Sequence, residues 1–157
     1  MTYAKHAGVT LVELMIVIAI AAVLFSVAVP AMNNMSVNGM ADRLARELEL
    51  DIRYARSQAS TLGRPITFEP VNGWQDGWVI KDNAVELRVR KHSLAANVIT
   101  SADITAGTPL VFNAAGRSAA DASVTISVPG CTGNRVRTLS VNRIGQVQLS
   151  GVAACPQ

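Results

Sequence analysis

The sequence is poor in the side chains that enzymes work with. Its 157 residues include two histidines, His6 and His92, and two cysteines, Cys131 and Cys155. There is no Gly-x-Ser-x-Gly elbow, no glycine-rich phosphate loop and no His/Cys set at metal-ligand spacing. The chain therefore offers no catalytic residue, no metal ligand and no cofactor site, and it reads as a protein that is not an enzyme. His92 stands beside Lys91 at the end of a strand pattern and reads as a solvated surface residue. Charge is scarce too. Fourteen Lys and Arg against eleven Asp and Glu leave a net +3, too small an excess to argue for nucleic acid by itself. Internal repeats, low-complexity runs and long Pro/Gly/Ser linkers are all missing. Beyond one apolar segment there is room for a single domain, long enough to bury a core.

Apolar sequence is abundant near the start. Residues 14–25 are apolar without interruption, Ser26 intervenes, and residues 27–32 are apolar again apart from the backbone break at Pro30. At ~1.5 Å per helical residue, residues 9–32 would span roughly 36 Å, enough to cross a ~30 Å hydrocarbon layer. Glu13 heads this run. A carboxylate there is costly in lipid unless paired, which marks it as functional. Pro30 removes a helical hydrogen bond to Ser26 and should kink or loosen the helix near its far end. An ordinary secretory signal, cut around Ser26-Val27-Ala28, is an alternative for this stretch. A long amphipathic helix follows directly, however, as a retained stalk would require.

That second helix is written in Val37, Ala41, Leu44, Leu48, Ile52, Ala55, Ala59 and Leu62, an apolar stripe at spacings of three and four. Asp42–Arg46 and Glu49–Arg53 have the favourable acid-first i,i+4 order. Gly63 and Pro65 end the period, so one nearly continuous helix is predicted from about residue 10 to residue 62. The period then changes to two. Ile66 and Phe68, then Val85, Leu87 and Val89, then Val124, Ile126 and Val128, and finally Val147 and Leu149 each alternate with polar residues. Turn signals at Asn72-Gly73, Asp82-Asn83, Ala106-Gly107, Pro129-Gly130 and Ile144-Gly145 separate them. One long helix packed on an antiparallel sheet, an α+β domain, is the predicted fold.

Gly8 immediately before the apolar run, with Glu13 the fifth residue after it, resembles the class III signal segment of type IV pilins and type II secretion pseudopilins. The resemblance implies that a prepilin peptidase cuts between Gly8 and Val9 and methylates the new amine of Val9. Family members usually begin with Phe here, and Val9 departs from that. Glu13 would then pair with the terminal amine of a neighbouring subunit, because a buried cation and a buried carboxylate are each expensive alone. Further along, Tyr54-Ala55-Arg56-Ser57-Gln58-Ala59, Gly63-Arg64-Pro65-Ile66-Thr67 and Trp74 with Gly77-Trp78-Val79 resemble the GspH/FimT group of minor pilins and pseudopilins, to which FimU-type proteins belong. Phe112-Asn113-Ala114-Ala115-Gly116-Arg117 and Leu139-Ser140-Val141-Asn142 with Gly145 continue the likeness.

The implied organisation is a leader over residues 1–8, a transmembrane helix over 9–32, an amphipathic helix over 33–63 and a periplasmic β domain over 64–157. The implied protein is a single-pass subunit of the inner membrane. It is built into a type IV pilus or a type II secretion pseudopilus and helps start or cap the filament near its tip. Its partners are the prepilin peptidase and other minor and major pilins or pseudopilins.

Three arginines within nine residues, Arg135, Arg137 and Arg143, raise an alternative, since the arginine fork suits phosphate. FimT-type proteins implicated in DNA uptake carry Gly-Arg-x-Arg at their carboxyl end. Here that stretch reads Gly145-Gln146-Val147-Gln148, so the glycine carries over and both arginines are glutamine. Loss of two charges removes phosphate affinity, and DNA is a disfavoured partner. Arg43, Arg46, Arg53 and Arg56 read as a solvated, salt-bridged face. Trp74 and Trp78 read as a pair that pins a hairpin to the helix. Cys131 and Cys155 bracket two alternating segments, 135–141 and 146–149. If these pair as a hairpin their outer ends meet, so a disulfide is expected.

Overall fold

The computed structural model describes residues 10–156, apart from the side chains of residues 30, 31, 33 and 150. It divides into two compact units after Ser36. One helix, α1 (Leu11–Leu62), contributes to both.

In the first unit Thr10 caps α1: its Oγ1 accepts from the Glu13 amide at 3.2 Å, and its carbonyl accepts from Leu14 at 3.1 Å. The apolar residues that follow lie open, Leu11 through Val29 each being more than half exposed where the side chain is a large hydrophobe. This part of α1 is long and apolar enough to cross a membrane. The helix runs on through position 30. Gly8 and Val9 lie outside the described residues, as does the side chain of Pro30.

In the second unit the rest of α1 is the spine of a folded domain. Ala41, Leu44, Leu48, Ile52, Ala55 and Ala59 are fully buried, as the stripe predicts. Each of the three large ones stabilises the fold by about 2 kcal/mol through burial. Gly63, at φ +66°, ends the helix in the left-handed conformation, and the Arg64 amide donates back to Ala59 at 3.3 Å.

The strands are β1 (Ile66–Pro70), β2 (Gly77–Asp82), β3 (Val85–Lys91), β4 (Ile99–Thr100), β5 (Leu110–Phe112), β6 (Ala122–Ile126), β7 (Val136–Val141) and β8 (Val147–Ala153). They form two four-stranded sheets, ordered β3-β2-β1-β5 and β4-β6-β7-β8, where one sheet was expected. All pairings are antiparallel. Ile66, Phe68 and Ile80 from one sheet and Val124, Ile126 and Leu139 from the other meet the α1 stripe in one core.

Strand β3 turns out differently from its pattern. Val85 and Val89 lie exposed, and it is Arg88 and Arg90 that reach the helix. A register shift opposite Ile80 and Lys81 accompanies this arrangement.

The β7–β8 hairpin places Cys131 and Cys155 with Cα atoms 5.7 Å apart, joined by a disulfide. Strand β8 runs four residues beyond the predicted Leu149, to Ala153. The loop after Cys131 is also latched to α1. Asn38 Nδ2 donates to Thr132 Oγ1 at 3.0 Å, and the Thr132 amide donates to Asn38 Oδ1 at 2.9 Å. Closing a loop with a sequence separation of 24 residues should contribute about 3 kcal/mol. A Cys155→Ser chain should therefore unfold at correspondingly lower urea, and limited proteolysis should cut first within β8. Parental urea resistance in the variant would show that the latch alone secures this end.

Candidate functional site

The polar groups of the domain gather along one length of α1. Asp51 lies three residues after Leu48 and four before Ala55, on the apolar stripe itself, and it is completely buried. Its carboxylate accepts from Trp78 Nε1 at 2.9 Å, from Arg88 at 2.7 Å and from Arg90 at 3.0 and 3.2 Å. Burial by itself would raise the Asp51 carboxyl. The hydrogen bonds from Arg90, Arg88 and Trp78 outweigh it and hold the group below its ordinary value. The same bond to Asp51 raises Arg90. Arg88 also lies 3.7 Å over the Tyr54 ring.

His92, read as solvated, is packed instead. Its ring centroid lies 5.0 Å from that of Trp78, the two planes tilted by 39°, and its Nε2 lies 3.3 Å from Glu47 Oε2. The reason is its place just after β3, on the strand that carries Arg88 and Arg90 to the helix.

One turn further along, Arg56 ties two loops to α1. Its Nε donates to the Gly116 carbonyl and its second guanidinium nitrogen to the Ile144 carbonyl, both at 3.0 Å. The amides of Ala115 and Arg117 donate to Asn113 Oδ1, and the Gln146 amide donates to Asn142 Oδ1. Three separated motifs, Tyr54–Ala59, Phe112–Arg117 and Leu139–Gly145, thus meet at a single guanidinium. Arg56 is not part of a solvated face. Arg53 does behave as predicted toward Glu49, at 2.6 Å, but also donates to the Val147 carbonyl at 3.2 Å.

The arginines nominated for phosphate are otherwise engaged. Asp42 does not pair with Arg46; its two oxygens take Arg135 at 2.9 Å and Arg137 at 2.8 Å. Arg143 sits exposed at the other end of the hairpin, its amide bound to Asp121. The three do not converge. Among the described residues no three His, Cys, Asp or Glu side chains gather as a metal site.

Compared with known families, residues 44–145 match the profile described as Type II transport protein GspH. The chain belongs to the GspH family. The matched stretch contains the whole Asp51 and Arg56 constellation and stops short of β8. Residues 3–29 match the prokaryotic N-terminal methylation motif, which spans Gly8, Val9 and Glu13. Two crystal structures of the type IV minor pilin FimU of Pseudomonas aeruginosa are similar in fold. One is 27% identical with a TM-score of 0.61, over 75% of this chain and 96% of that one. The other crystal form is 26% identical with a TM-score of 0.57, over 73% and 99%. No curated protein matches by sequence. This GspH-family chain is accordingly a protein of the minor pilin and pseudopilin family, with the long helix and antiparallel sheets of FimU. That is a family of structural subunits.

Asp51 is the residue that sequence reading missed. A carboxylate in line with Leu48 and Ala55, in a chain with two arginines two apart on one strand, was the available signal.

Proposed function

We propose that this chain is a minor pilin or pseudopilin that helps start or cap a filament near its tip. It would be cut after Gly8, methylated on Val9 and held in the inner membrane by residues 9–32 until assembly, with its domain in the periplasm. One observation carries the reading. The exposed apolar helix is continuous with the buried spine of the domain, so it is built to be kept rather than discarded as a secretory leader. The likeness to FimU supports a minor rather than a bulk subunit. Glu13, whose amide is capped by Thr10, would meet the terminal amine of a neighbour, and the prepilin peptidase and other pilins are the partners this requires. A DNA receptor would need Arg135 and Arg137 turned outward to phosphate, and both are held by Asp42.

The test joins intact mass with filament composition. Membrane-extracted protein should begin at a methylated Val9. Glu13→Val should insert normally yet enter sheared filaments about tenfold less, the loss of roughly one ion pair in an apolar setting. Gold labelling should mark filament ends. A terminus near Val29, parental incorporation of the variant, or label along whole filaments would each defeat the corresponding part of the proposal.

A further inference from the structure

The two sheets have four outer strands, β3, β5, β4 and β8. An outer strand leaves one row of amides and carbonyls with no strand to receive them, and short length, charge or irregularity ordinarily protects it. Three of the four are protected in these ways. Strand β4 has two residues, and β5 has three and meets Ser118 at Phe112. Strand β3 carries Glu86, Arg88, Arg90 and Lys91, together with its register shift. Strand β8 is different. Over seven residues, Val147–Ala153, it has no charged residue and no proline, and its register shift comes only after Leu149. The Val147 carbonyl accepts from Arg53 at 3.2 Å and so turns away from β7. Leu149, two residues on, turns its amide and carbonyl the same way.

The side chains beside this edge are equally uncommitted. Leu149 and Val152 stand opposite Leu139 and Arg137, on the sheet face turned to α1, yet they are 49% and 56% exposed. Helix α1 runs alongside them: Arg53 reaches β8 at Val147, and Asp42 reaches Arg137, the cross-strand neighbour of Val152. Between those two contacts the helix presents Arg46 and, one turn on, Leu50, which is 64% exposed. Arg46 and Arg43 are both exposed and have no acidic partner among the described residues. The nearby carboxylates are spent, Asp42 on Arg135 and Arg137 and Glu49 on Arg53. One strip of the domain is therefore apolar at Leu50, Leu149 and Val152, basic at Arg43 and Arg46, and bordered by unpaired main chain.

We propose that the β8 edge and the adjoining flank of α1 receive an extended segment of another filament subunit, one that bears acidic side chains on the face turned to α1. Main-chain bonds to the β8 edge supply affinity that any strand could use, and the flanking side chains select among strands. Carboxylates answer Arg43 and Arg46, and an apolar residue between them covers Leu149. A second copy of this chain does not fit. Its other long outer strand, β3, carries three basic residues against one acidic, and β8 itself is neutral, so neither complements the arginines. A lipid headgroup could meet the arginines but not the row of amides and carbonyls. The source of the strand rests on the filament reading above; its chemistry rests on the strip alone.

The probe is a blocked heptapeptide in which threonine alternates with glutamate, valine and glutamate. With the full chain in detergent micelles and ¹⁵N on leucine and valine, Leu149→Ile and Val152→Ile assign the two amide signals. The peptide should shift both saturably and leave those of Val85 and Val89, on the β3 edge, fixed. The same peptide with lysine for glutamate should bind about fivefold more weakly, the loss of an exposed ion pair. In a chain carrying Arg43→Glu and Arg46→Glu that preference should reverse. Methylating alternate peptide nitrogens should abolish binding, since the donors to β8 are then gone. The proposal is overturned if the glutamate peptide moves neither signal, if both peptides bind alike, if the preference survives in the double variant, or if the methylated peptide binds as well. It is also overturned if dilution alone moves the Leu149 signal, which would mean self-pairing, or if only dihexanoyl phosphatidylglycerol moves it. Failure of the filament reading shows instead in the terminus and labelling tests, which this titration does not use.

Discussion

Replacing Asp51 by alanine should destabilise the domain by about 4 kcal/mol. Breaking a buried ion pair from one side typically costs 3–5 kcal/mol, because the groups left behind remain in place without a partner. Here one carboxylate serves three donors: the fully buried Trp78 indole and the guanidinium groups of Arg88 and Arg90, each about two-fifths exposed. The two arginines can recover some water, whereas Trp78 cannot. Asp51→Asn keeps the size and an acceptor for Trp78, so it should lose less than alanine does. Urea unfolding followed by tryptophan fluorescence reads both variants, and equal losses would mean that the charge alone matters at this site and the retained shape and acceptor contribute nothing.

The acid limb separates the two further. The folded carboxyl is held below its ordinary value of 3.8, so its contribution is complete above that value and disappears as pH falls through the lower, folded one. Stability of the parent should therefore fall more steeply below about pH 4 than that of Asp51→Asn.

Gly145→Ala should be as damaging, for a different reason. A Cβ there would lie 2.0 Å from the Gly116 carbonyl oxygen and 2.8 Å from Arg56 Nε, on a backbone at φ +77°. Left-handed strain and forced repacking each cost about 1–3 kcal/mol, so roughly 4 kcal/mol together is expected. Gly133 provides the control. Its φ is +72°, but nothing lies within 4 Å of its Cβ position, so Gly133→Ala should cost only about 1 kcal/mol. If the two alanine variants melt alike, the close meeting of Arg56, Gly116 and Gly145 contributes nothing beyond backbone strain.

These two sites also mark where sequence reading reached its limit. The helix, its end at Gly63, the turns and most strand faces follow from local periods and local stops, and the structure has them where the residues place them. Partners distant in sequence do not follow that way. Asp42 had an acid-first neighbour at Arg46, worth a few tenths of a kcal/mol on an open helix. Two arginines delivered by β7 took it instead. Arg88 and Arg90 look like the outer face of β3 until the register shift turns them toward α1. Asp51 stands on the apolar stripe, where a period count registers an interruption rather than a junction. Arg56 depends on two loops, each closed by its own asparagine, arriving at one place. Of the residues nominated for function, the cysteines could be joined because a hairpin relates them locally.

The latch between the disulfide loop and α1 has a mechanical consequence. A pull along α1 reaches the domain at Val37, and within two turns it meets Asn38 bonded to Thr132 and Asp42 bonded to Arg135 and Arg137. These contacts precede Leu44, Leu48 and Ile52 on the load path. The residues they hold lie between Cys131 and Cys155, in a segment closed by a covalent bond that cannot be drawn out as a tail. Force is thus shared by several polar contacts alongside the first core residue, Ala41, before it reaches the large core side chains, an arrangement that bears tension rather than yielding by unzipping from one end.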